Sequence, residues 1–123
     1  MWVFLNDAFL SIVAHRTKPD TLLVRARLKG DIERTFGQAK VWTDAEADYL
    51  YRAEVDRNVV ALRLSEAIKG IEYPNFKSSV KDTDRHDAYL DVWSAMYSEQ
   101  VRANPQPRTV SPSAYRYQAD LHR

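Results

Sequence analysis

The chain has no cysteine. That excludes a disulfide scaffold, a thiolate zinc site and a cysteine nucleophile. Glycine is scarce, with 3 in 123 residues, and the three stand too far apart to build a phosphate-cradling loop. An excess of one charge is also missing. Lys and Arg total 18, Asp and Glu total 17, and the net charge is +1. Such a balance excludes a polycation that grips nucleic acid by bulk charge alone. Long apolar runs are absent. Met1 to Leu5 stops at Asn6-Asp7, and Ala8 to Ala14 is broken by Ser11. A bilayer crossing takes about 20 apolar residues. No basic leader or small-residue cleavage site is visible. The expectation is no membrane association and a cytoplasmic location.

What is present is 45% apolar and 28% charged, too apolar for a disordered chain. The length suits one domain burying roughly two-thirds of its unfolded surface. Phe9 to His15 reads as a strand, Arg16 to Asp20 as a turn, and Thr21 to Lys29 as a second strand. In that strand Leu22, Val24, Ala26 and Leu28 share one face; Leu23, Arg25, Arg27 and Lys29 share the other. Gly30 ends it, and Asp31 is expected to cap a short helix over Ile32 to Phe36. Ala39 to Trp42 reads as a short strand and Thr43 to Asp48 as an acidic loop. Tyr49 to Val55 alternates again, with Tyr49, Tyr51, Ala53 and Val55 on one face and Leu50, Arg52 and Glu54 on the other.

Asp56 or Asn58 caps the next helix, Val59 to Lys69, closed by Gly70. Its apolar stripe is Val60, Leu64, Ala67, Ile68 and Ile71. Phe76 to Val80 makes one helical turn. Asp82, Thr83 or Asp84 caps a long helix to about Arg102, with Tyr89, Val92, Trp93, Met96, Tyr97 and Val101 at spacings of three and four. Three of the five prolines fall beyond Ala103. The reading is one α+β domain over residues 1–102 and an extended tail over 103–123. The order β-β-α-β-β-α-α fits a four-stranded antiparallel sheet with helices on one face. It is that of a ferredoxin-like sheet whose last strand has moved to the front.

Several segments carry a resemblance. They are Phe9-Leu10-Ser11-Ile12-Val13, Leu22 to Arg27, Gly30-Asp31-Ile32-Glu33, Ala47-Asp48-Tyr49, Tyr73 to Val80, Arg85 to Tyr89, Val92-Trp93-Ser94 and Met96-Tyr97. Over about residues 1–97 the chain resembles a group of small uncharacterised bacterial proteins. Tyr73 to Val80 and Arg85 to Tyr97 are its most specific part. The group has no assigned activity, so the resemblance implies no catalytic residue.

Three sites are candidates. The first is the outer sheet face, with Arg25, Arg27 and Lys29, then Arg52, then Lys40 and Trp42. Phe9 and Val13 or His15 are expected to add apolar surface. Arginines beside aromatics on an open sheet bind phosphates and stack bases. The plainer reading is a solvated basic face, since Glu54 shares it and Asp44, Glu46 and Asp48 stand near. The second is Asp82 to Asp87, with three carboxylates and a histidine. It fails as an EF-hand loop, lacking its glycine and its closing glutamate, and acidic residues suit a helix start anyway. The third is a small-ligand pocket around Tyr73, Lys77 and His86, lined by Tyr89, Trp93 and Tyr97. Aromatics at helical spacing otherwise build a core.

No serine lies in a nucleophile-elbow sequence, and three histidines leave few members for a triad. No catalytic residue, metal site or cofactor is assigned. The leading expectation is a small non-enzymatic protein-interaction module, an adaptor or inhibitor of bacterial or phage type. Its partner is a protein or a second copy. Tyr115, Tyr117 and Leu121 of the tail are expected to dock on a sheet edge. The alternatives are nucleic-acid binding by the basic face and a ligand or catalytic pocket near His86 and Tyr73.

Overall fold

The computed structural model describes residues 1–105. The chain divides into two compact units, one spanning Met1–Glu72 and one beginning at Tyr73.

The first unit is an open antiparallel sheet of five strands with two helices. The strands are β1 (Trp2–Leu5), β2 (Ala8–Ala14), β3 (Thr21–Ala26), β4 (Trp42–Thr43) and β5 (Tyr51–Asp56). Their order across the sheet is β1-β2-β3-β5-β4. Five strands replace the expected four. The added strand is β1, which pairs Leu5 with Ala8 and so turns through Asn6 and Asp7 alone. A two-residue connection is the usual hairpin link. Four consecutive apolar residues show no alternation, so periodicity gives no sign of it.

Helix α1 (Asp31–Thr35) follows β3, and α2 (Arg57–Lys69) follows β5. Asp31 does not cap α1, contrary to expectation. Gly30 is the N-cap, at φ 92°, a left-handed conformation natural to glycine. Asp31 is buried instead. Its Oδ2 accepts the Phe9 amide at 3.0 Å, and its Oδ1 pairs with the Arg34 guanidinium. Arg34 Nε also donates to the Asp7 carbonyl at 2.9 Å. One carboxylate thus ties the β1–β2 hairpin to α1. Asp56 caps α2 as expected, accepting from Asn58 N at 2.8 Å and Val59 N at 3.4 Å.

One sheet face packs into the core: Leu10, Ile12, Val24, Ala26, Ala53 and Val55, against Ile32, Phe36 and Val60 from the helical side. Val3, Leu5, Leu22, Tyr51 and Leu64 pack around them. The expected α2 stripe is covered only in part. Val60 is buried and Leu64 half-buried, whereas Ile68 is 68% exposed and Ile71 51%.

The β2–β3 turn is held by His15. Its Nδ1 accepts from the amides of Thr17 and Lys18 at 3.1 and 3.0 Å. The ring proton therefore lies on Nε2, which donates to Glu54 Oε1 at 2.8 Å.

The second unit contains α3 (Phe76–Ser79) and α4 (Thr83–Ala103). Asn75 caps α3 and Asp82 caps α4, each through its side chain. The Phe76 ring stacks on Tyr89 with centroids 5.7 Å apart, and Tyr73 packs at a tilt on Phe76. Lys77 is buried, with Nζ 4.2 Å from the centre of the Trp93 ring, and Trp93 in turn stacks on Tyr97. Among the described residues, no helix is long and apolar enough to cross a membrane.

Candidate functional site

Directly opposed residues of an antiparallel pair share a sheet face. The registers Trp2↔Ser11, Ser11↔Arg25, Arg25↔Arg52 and Arg52↔Trp42 therefore define one row straight across the outer face. It crosses all five strands. Four strand spacings make it about 19 Å long. Its two ends are tryptophans, 68% exposed at Trp2 and 43% at Trp42.

The arginines are fixed by neutral groups. Arg25 Nη2 donates to Ser11 Oγ at 2.6 Å. Arg27 Nη1 donates to the Asp48 carbonyl at 2.8 Å, and Arg52 Nη1 to the Tyr49 carbonyl at 3.4 Å. The guanidinium carbons of Arg25 and Arg27 lie 4.6 and 4.1 Å from the centre of the Tyr49 ring. Each such contact is worth about 0.5–1 kcal/mol. A carbonyl, a hydroxyl or a ring face holds an arginine in place without cancelling its charge. Near the row, among the described residues, one carboxylate pairs with an arginine, Asp48 at 3.9 Å from Arg52. The buried Arg25 Nε has no hydrogen-bond partner among the described residues.

Glu54 also lies on this face, two residues along β5 from Arg52 and its next neighbour there. It is neutralised locally, accepting from His15 and from Lys18 Nζ at 3.0 Å. Those two hydrogen bonds, His15's first, hold its carboxyl below the usual 4.5.

Tyr49 corrects a sequence expectation. It does not share the core face with Tyr51, Ala53 and Val55; its ring is buried beneath two outer-face arginines. β5 begins only at Tyr51, so alternation does not extend back to Tyr49. The turn before it holds its own bonds, with Asp44 N donating to the Leu50 carbonyl and Ala47 N to the Asp44 carbonyl. Ser11 is the other residue pattern reading passed over. A lone hydroxyl inside an apolar strand is its signal.

Of the expected face residues, Arg25, Arg52 and Trp42 fall in the row, and Arg27 lies beside it over Tyr49. Lys29 and Lys40 are exposed but lie outside the strands, beyond Ala26 and before Trp42. On the β1–β2 side Phe9 stacks on Phe4 at 4.6 Å and meets Trp2 edge-on at 6.1 Å. That adds an aromatic strip next to Trp2.

The expected pocket residues are placed apart in function. Tyr73 packs on Phe76 and Lys77 lies over Trp93, while half-buried His86 has Nδ1 3.3 Å from Asp87 Oδ1. An open groove of about 410 Å³ runs along α4 past Trp93, Met96, Tyr97 and Gln100. It includes none of Tyr73, Lys77 and His86. Asp82 is engaged in capping, and no His, Asp or Glu cluster among the described residues has three members placed to hold a metal ion. Tyr115, Tyr117 and Leu121 lie outside the described residues. Comparison with family models, curated proteins and solved structures returned no match.

Proposed function

We propose that this chain is a small non-enzymatic interaction module that binds an anionic partner through the outer face of its sheet. The observation that carries this is the arginine set on Tyr49. Arg25 and Arg27 are positioned in advance by neutral acceptors, so their charge remains for a partner, while Arg52 shares its charge with Asp48. Preorganised arginine loses less freedom on binding. Trp, Tyr and Arg are also the residues that dominate binding surfaces. We further read β2-β3-β5-β4 as a permuted ferredoxin-like sheet with β1 added at its edge, since that order is the one the permutation requires, and place the protein in the cytoplasm.

Retention on a heparin column tests the face. Arg27→Glu is expected to elute at much lower salt than the wild type. Lys69→Glu, the same charge change on α2, is expected to elute near a simple charge control. Equal shifts in the two variants would mean that bulk charge is responsible, and the reading fails.

A second reading, contact with a protein or a second copy, is favoured by α2. Its stripe continues past the covered Val60 into exposed Ile68 and Ile71. Sedimentation of the full chain would show a concentration-dependent dimer that Ile68→Lys abolishes. A monomer throughout removes self-association.

A further inference from the structure

We infer that the anionic partner is single-stranded nucleic acid, laid across the strands along the Trp2–Ser11–Arg25–Arg52–Trp42 row. This rests on the anionic-partner reading of the same face. The row has the two elements such a strand requires. Cations sit in its middle, where Arg25 and Arg52 face each other and Arg27 stands beside them. Exposed planar side chains sit at both ends. Within the described residues Arg27, which is exposed, hydrogen-bonds only through Nη1, which leaves its Nε and Nη2 to donate to phosphate oxygens.

The tryptophans discriminate among anions. A simple polyanion would use the arginines alone; tryptophan also anchors protein partners, but a nucleic-acid strand is the partner that repeats a phosphate and a planar base together. A base stacks on a tryptophan ring, and every base has a face to offer. A duplex keeps its bases turned inward and cannot reach them. About 19 Å accommodates roughly six nucleotides at the stacked rise of about 3.4 Å, and fewer when bases splay. That falls within the range of sheet-based single-strand sites.

The opposing charges are few and local. Glu54 is occupied by His15 and Lys18. Asp48 is the carboxylate paired with an arginine of the row. Asp44 and Glu46 share its loop, and Asp44 Oδ1 accepts the Glu46 amide.

Fluorescence anisotropy of a labelled short oligothymidylate, titrated at low salt with the full chain, tests the inference. Binding is expected, together with quenching of tryptophan emission. Trp42→Ala should weaken it roughly five- to 150-fold, the loss of one stacked base. Arg27→Ala should reduce the salt slope by about 0.7, the loss of one phosphate contact. Asp48→Asn should strengthen it. The duplex of the same length should bind at least tenfold more weakly. Circular dichroism melts of each variant separate a lost contact from a lost fold, and Asp48→Asn keeps the test decisive because its predicted effect is a gain. Poly-glutamate is the competing probe. If it binds with the Arg27 dependence and the oligonucleotide does not, nucleic acid is excluded and the anionic-partner reading stands. If neither binds, both fail. Oligonucleotide binding that Trp42→Ala leaves unchanged also overturns the row.

Discussion

Asp31 shows how much one side chain can organise. It is 1% exposed, and a carboxylate is rarely buried so fully without a partner. Here it satisfies the Phe9 amide and pairs with Arg34, whose side chain is 44% exposed. Asp31→Ala would leave the part-buried Phe9 amide without its acceptor and Arg34 without its carboxylate, at a cost of about 2 kcal/mol. Asp31→Asn keeps one acceptor for Phe9 and should cost roughly half that. Urea unfolding measures both; an alanine variant within about 0.5 kcal/mol of the wild type would contradict the anchoring role. None of this was legible in sequence. An aspartate after a glycine at a helix start reads as a cap, because capping is local and visible, whereas its true partners are 22 and 3 residues away. Tyr49 was hidden for a similar reason. Its neighbours Arg25 and Arg27 are set by sheet register, which alternation along one strand does not reveal.

At the scale of elements, legibility follows periodicity. β3 alternates and was readable from its start at Thr21, but it ends at Ala26 rather than Lys29, which leaves Arg27 and Lys29 beyond the strand. The helices α2, α3 and α4 were readable to within two residues, α2 and α4 from the caps Asp56 and Asp82, whereas the Asn75 cap of α3 was not foreseen. β1 has no alternation, and its existence depends on the turn at Asn6-Asp7. Helix α2 shows the limit of the stripe argument. Its five apolar positions look equivalent on a wheel, yet the sheet beneath covers only the first part. Val60→Ala should therefore destabilise by about 2 kcal/mol through the cavity it leaves. Ile68→Ala, at the same face two turns on, should change stability by less than about 0.5 kcal/mol. Thermal melts of the pair decide this; equal losses would mean that something covers Ile68.

At the scale of the whole molecule, the main buried cluster lies in one unit, with Val80 and Tyr89 buried in the other. Every member of that cluster lies between Leu10 and Val60, inside the first compact unit. Residues 1–72 alone should fold cooperatively, with a stability of about 3–5 kcal/mol, in the range of small single cores. Dispersed amide resonances for that fragment would bear this out, and a collapsed, broad spectrum would show that the first unit needs the rest of the chain. The row on the outer face has a further consequence at this scale. Arg25 opposes Arg52 and Val24 opposes Ala53 in one and the same register. Slipping β5 by a single residue exchanges the two sides of the strand entirely. Arg52 would then point into the core, and Ala53 and Val55 at water. Surface and interior are thus two readings of one alignment. An insertion within Tyr51–Asp56 would turn the strand residues beyond it to the opposite side of the sheet, disturbing core and outer face in the same step.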